Sequence, residues 1–130
     1  MRVRTDGKQF ALGENQFSFR GATYGTFRPR EEDRARFPER SRIKLDFAAM
    51  RDHGFTVVRT YTTPPDDLVD LAADSDLRLL AGVFYPDWRY LVGASRRQVR
   101  QVLREARAEV RRSARQLSGN DQILAVVLGN

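Results

Sequence analysis

The segment Ile123-Leu124-Ala125-Val126-Val127-Leu128 is an apolar run with no polar interruption, followed by Gly129-Asn130. A strand with one wet face would alternate apolar and polar residues. An unbroken run of this length therefore predicts a parallel strand buried on both faces. Parallel strands are joined by crossovers, so βα units are expected upstream. In such folds the working groups sit just beyond the carboxyl ends of the strands, the place that Gly129 and Asn130 occupy.

The upstream pattern agrees. Phe10-Ala11-Leu12 and Phe17-Ser18-Phe19 flank Gly13-Glu14-Asn15, which predicts a hairpin over residues 9–19. Arg20 to Gly25 reads as a strand, and residues 27–42 as one long βα loop with Pro29, Pro38 and ten charged side chains. Ile43, Phe47 and Met50 mark a first helix ended by Gly54. Thr56 to Tyr61 is the next strand. Pro65 is suited to the first position of a helix, with Asp66 and Asp67 at its positive end and Leu68, Val69, Leu71 and Ala72 as its apolar stripe. Leu77 to Phe84 forms a third strand, broken at Tyr85-Pro86-Asp87-Trp88. Ser95 and Gln98 make a capping box for a third helix, closed by Gly119. Its buried face is expected at Val99, Val102, Leu103, Ala106, Val110, Ala114 and Leu117. The fold class is thus α/β, a parallel β-sheet of four βα steps after a short N-terminal hairpin. The pattern fits either a small doubly wound sheet or part of a (β/α)8 barrel, which needs about 250 residues in full.

A chain of 130 residues with 41% hydrophobic content fits a single folded domain rather than a disordered tail. No stretch reaches the roughly 20 apolar residues of a membrane span, and no apolar core follows the charged N-terminus. Both features lead to the expectation of a cytoplasmic protein. Absent cysteine removes disulfides and thiolate metal sites. The net charge is +6, carried almost wholly by arginine. Stretches such as Arg30-Glu31-Glu32-Asp33-Arg34 interleave the two signs, which disfavours a nucleic-acid partner.

Three strings carry a resemblance: Phe19-Arg20-Gly21-Ala22-Thr23-Tyr24-Gly25, Asp46-Phe47-Ala48-Ala49-Met50 and Val58-Arg59-Thr60-Tyr61-Thr62. With Val127-Leu128-Gly129-Asn130 they make the chain, from about residue 9 onward, resemble the first half of glycoside hydrolase clan A (β/α)8 barrels. The family-2-like barrels that bacteria fuse to glycosyltransferases are the nearest likeness. The resemblance implies one partial barrel domain over 1–130, with the 9–19 hairpin at its bottom. In that clan the fourth strand ends in Asn-Glu, the amide binding the sugar 2-hydroxyl and the Glu acting as general acid/base. A Glu after the seventh strand is the nucleophile. Asn130 matches the amide, and neither Glu has a counterpart here. The implied reading is a truncated, glycosidase-like barrel of carbohydrate metabolism that lacks both catalytic carboxylates and is inactive alone. The alternatives are a weak carbohydrate-binding remnant and, ranked last, a basic nucleic-acid-binding module.

The resemblance also gives Arg59 a role, since the clan uses the matching arginine to hold the acid/base region; a structural ion pair is the competing reading. Tyr24 and Tyr61 are expected at the same end with hydroxyls open to sugar, or as plain packing. Trp88, the one tryptophan, either stacks on a sugar ring or covers the core. A substrate site of Asn130, Arg59, Tyr61, Tyr24 and Trp88 results, with no catalytic residue, metal or cofactor assigned. His53 is expected in a capping role near the end of the first helix. Arg100, Arg104, Arg107, Arg111 and Arg115 line the third helix and read either as a phosphate-tracking stripe or, preferred here, as its solvated outer face, partnered by Glu105 and Glu109. The expected partners are a β-glucan-like glycan and a second copy joined through open strand edges.

Overall fold

A computed structural model describes residues 1–129. Its strands are β1 (Val3–Asp6), β2 (Gln9–Leu12), β3 (Asn15–Gln16), β4 (Gly21–Thr23), β5 (Val57–Arg59), β6 (Arg78–Val83) and β7 (Ile123–Leu128). The helices are α1 (Arg40–Asp52), α2 (Asp66–Asp74) and α3 (Arg96–Leu117), with a 3-10 turn at Trp88–Leu91. The protein is α/β, built on a four-stranded parallel sheet in the order β4-β5-β6-β7 and a small antiparallel sheet in the order β1-β2-β3. Each parallel strand lies beside its predecessor. No reversal of order, and so no topological switch point of a doubly wound sheet, occurs among the described strands.

Sidedness follows from the two-residue period of the strands. Val58, Leu79, Ala81 and Ile123 face one side and share a core with Ile43 and Phe47 of α1, Leu68, Leu71 and Ala72 of α2, and Leu117 of α3. All three helices therefore cover the same face, as right-handed crossovers stepping one way require. Each fully buried Leu or Phe here contributes roughly 1.5–3 kcal/mol. On the opposite face Val57, Leu80, Leu124 and Ala125 pack with Val3, Phe10, Leu12 and Phe17. The antiparallel sheet thus plugs that face near the amino ends of the strands. Arg78 clamps it, donating to the carbonyls of Met1 (2.9 Å) and Asp121 while lying over the Phe17 ring.

Several expectations need correction. The single hairpin over 9–19 is a three-stranded meander. β1 was hidden because Val3-Arg4-Thr5-Asp6 has one apolar residue and buries only that one. Asn15 already pairs with Leu12, which leaves Gly13-Glu14 as the turn, and Phe17-Ser18-Phe19 is not a strand. Pro65 caps α2 from outside rather than opening it. In α3 Ala106 and Leu117 are buried as expected, Ser113 is buried in place of Ala114, and Val99, Val102, Leu103 and Val110 are half-buried. The Ser113 hydroxyl pairs with that of Thr63 at 2.7 Å, so a polar residue satisfied in the core replaced the apolar one expected. The run Ile123–Leu128 is not buried on both faces. β7 is a sheet edge, and its helix-side residues Val126 and Leu128 are 44% and 58% exposed.

Gly82 of β6 has a steric reason to be glycine. A Cβ there would lie 2.3 Å from the Thr60 carbonyl oxygen and 2.5 Å from the Tyr61 carbonyl carbon, both of them main chain. The Gly82 amide donates to Thr60 Oγ1 at 3.2 Å, and that hydroxyl donates onward to the Thr62 carbonyl at 2.8 Å. Gly82→Ala is expected to cost about 3 kcal/mol, because backbone rather than a flexible side chain must give way. Gly7→Ala, with φ +59° and open space around it, is expected to cost about 1 kcal/mol. Urea unfolding of the two variants compares them; equal losses would contradict the close approach.

Candidate functional site

The carboxyl ends of β5, β6 and β7 open onto two adjoining grooves. The first, of about 650 Å³, is lined by Gly25, Arg36, Tyr61, Phe84, Tyr85 and Gly129 among others. The second, of about 730 Å³, is lined by Arg59, Tyr85, Asp87, Trp88, Arg89 and Gly129 among others. Tyr85 and Gly129 belong to both walls.

Arg59 and Tyr61 lie two residues apart and so leave β5 on the same side, opposite the helices. The Arg59 guanidinium sits 4.9 Å from the Tyr61 ring centroid, a cation–π contact that holds both at the groove. Trp88 stands on the 3-10 turn and is 73% exposed, so its indole does not cover the core. The turn is fixed by Asp87, whose carboxylate accepts from the Arg89 amide at 2.9 Å and from Arg89 Nε. The Arg89 guanidinium and amide together hold the Asp87 carboxyl below the usual carboxylate range. Asp87 is therefore ionised at neutral pH and has no proton to donate.

Tyr24 stands elsewhere. Thr23 pairs with Arg59 in the ladder, so Tyr24, one residue on, points to the helix side. It is buried, stacked edge-on to Phe27 and Phe47. Its hydroxyl donates to Asp46 Oδ2 at 2.7 Å, and Asp46 in turn pairs with Arg42. Burial, then the Asp46 carboxylate, push the phenol well above its ordinary value. The hydroxyl expected to meet sugar is committed to α1. Asn130 lies outside the described residues.

The long charged loop is anchored rather than loose. Phe27 and Phe37 pack on the core beside Tyr24, and Arg30 grips Asp33, which also accepts from the Ala35 amide. Across the sheet from the grooves, the segment after β5 is tied to α3 by Thr63–Ser113 and by Gln116, which donates to the Pro64 carbonyl and Asp66. Thr60, Gly82, Tyr85 and Ser113 are positions that sequence reading did not single out. Only the glycine inside a strand pattern offered a signal, as a mark of close backbone approach. His53 caps α1, its Nδ1 2.8 Å from the Ala49 carbonyl.

Among the described residues no group of three or more His, Asp or Glu could hold a metal, and no helix is long and apolar enough to cross a membrane. Glu105 and Glu109 do not partner the arginine line as expected. Glu105 accepts from Gln101 and Glu109 pairs with Arg112, because both glutamates lie on the flank of the helix away from that line. Neither the known protein families nor the curated proteins contain a match to this sequence.

The Tyr24 bond has a pH signature. A phenol raised by folding leaves its stabilisation intact below the unfolded value near 10 and loses it as pH climbs from there toward the raised folded value. Unfolding midpoints are expected to fall more steeply above pH 10 in the wild type than in Tyr24→Phe. At pH 7 the variant should lose about 1.5–3 kcal/mol, the value of a hydrogen bond to a charged acceptor. Parallel pH profiles would contradict the assignment.

Proposed function

We propose that these residues form the first three βα steps and the fourth strand of a glycosidase-like (β/α)8 barrel of carbohydrate metabolism, and that the 130-residue chain binds glycan without hydrolysing it. The observation that supports this most is the gathering of Arg59, Tyr61, Tyr85 and Trp88 at the carboxyl ends of strands in sequential parallel order. Barrel folds place their sites at that end, and flat aromatic faces beside hydrogen-bond donors suit the apolar faces and hydroxyl edges of sugars. The meander plugging the opposite end fits the same reading.

Hydrolysis with retention needs two carboxyl groups about 5–5.5 Å apart, one protonated and one ionised. Among the residues lining the two grooves, Asp87 is the one carboxylate, and Arg89 keeps it ionised. Binding is the chemistry left to this arrangement. Trp88, as the only tryptophan, reports on it directly. Millimolar β-glucan oligosaccharide is expected to shift Trp88 fluorescence, and Arg59→Ala to weaken that response about tenfold. The purified chain should release no aryl group from aryl β-glucosides. An unchanged emission at millimolar sugar would remove the binding site, and sustained turnover would overturn the non-hydrolytic reading.

A further inference from the structure

We propose that the outer face of α3 binds the phosphate backbone of a nucleic-acid duplex. The charge of this chain is not spread over it. Of 23 basic and 17 acidic residues in the sequence, α3 holds eight arginines and two glutamates, leaving 15 of each sign elsewhere. The whole excess of +6 therefore resides in one helix. The sign-mixing of residues 27–42, a loop up to Glu39 and then the start of α1, hides this when the chain is averaged.

Within α3 the charges are sorted again. At about 100° per residue, Arg100, Arg104, Arg107, Arg111 and Arg115 fall within an arc of about 80°. They run along about 22 Å of helix, at about 1.5 Å per residue. All five are exposed, and none has a hydrogen-bond or ion-pair partner among the described residues. Four of them line a shallow groove of about 450 Å³ with Leu103 and Ala108. The neutralising glutamates are turned away, bonded to Gln101 and Arg112. The core-facing side, Ala106, Ser113 and Leu117, holds the helix against the sheet, so the row is fixed in direction by the fold.

A row of guanidinium groups along one helix, without partners among the described residues, complements a polyanion. Arginine rather than lysine also favours phosphate, because its planar fork can donate two parallel bonds to the oxygens. A membrane surface fits less well. α3 has no aromatic residue, and the apolar side that would enter lipid is spent on the core. The face lies on the helix side of the sheet, away from the glycan grooves, so this inference stands independently of the proposed function.

The test is fluorescence anisotropy of the full 130-residue chain with a labelled 20-base-pair DNA duplex across a salt series. Five neutralised phosphates predict a slope of log affinity against log salt of about −4.5, or about a 500-fold loss between 50 and 200 mM salt. Arg104→Gln/Arg107→Gln/Arg111→Gln should flatten the slope to about −2. Lys8→Gln/Arg28→Gln/Lys44→Gln removes the same charge from elsewhere and should leave the slope near that of the parent. Circular dichroism of both variants confirms folding. No binding at 50 mM salt, an unchanged slope in the α3 variant, or equal losses in the two variants would overturn the proposal. Tighter binding to vesicles containing phosphatidylserine than to DNA would overturn it too, in favour of a membrane surface.

Discussion

At the end of β5 the main chain of Thr60 and Tyr61 lies against the α-carbon of Gly82, and the open end of the sheet is arranged around that contact. Two neighbouring parallel strands normally keep the spacing set by their ladder hydrogen bonds. Here the Gly82 amide bonds instead to the Thr60 hydroxyl, and Thr60 has no exposed surface at all. β5 leaves the sheet at this point. Arg59 is the last ladder residue, and Tyr61 stands beneath its guanidinium at the groove. A side chain at position 82 would push that turn outward and take the Arg59–Tyr61 pair with it.

The rest of the architecture holds this turn from two directions. From the helix side, Ser113 and Gln116 of α3 fasten Thr63 and Pro64, so the chain following the turn cannot drift. From the amino end of the strands, the β1-β2-β3 meander fills the face opposite the helices and is gripped by Arg78. The sheet is thus closed below and open above, and the exposed aromatic residues Phe84, Tyr85 and Trp88 collect at the open end. α3 serves both sides of this arrangement, its buried edge steadying the loop while its outer edge concentrates the positive charge.

The sequence made the order of elements readable because the helices and strands carry opposite periods and clear stops. The capping box at Ser95 and Gln98 and the turn at Gly54 are where local chemistry placed them. Failures came where tertiary context outweighs local pattern. Val3-Arg4-Thr5-Asp6 forms a strand because β2 offers an edge, not because its own residues alternate strongly. Ser113 is buried because Thr63 supplies the partner its hydroxyl needs. Tyr24 and Arg59 looked like neighbours at one rim. Their faces depend on the register of β4 against β5, and a shift of one residue reverses the side. Arg59, Tyr61 and Trp88 could be anticipated at strand ends, whereas the contribution of Tyr85 rests on how the chain bends after β6. The charge of α3 was countable from the start and was obscured by averaging over a chain whose other charges cancel.

Native-state hydrogen exchange at the Gly82 amide tests the central contact most directly. If the Thr60 hydroxyl receives that proton inside a closed turn, the amide exchanges only through global opening, as slowly as that of Leu79 in the middle of the sheet. Exchange at the rate of an exposed loop amide, with Leu79 still protected, would show that the β5 turn does not close over Gly82.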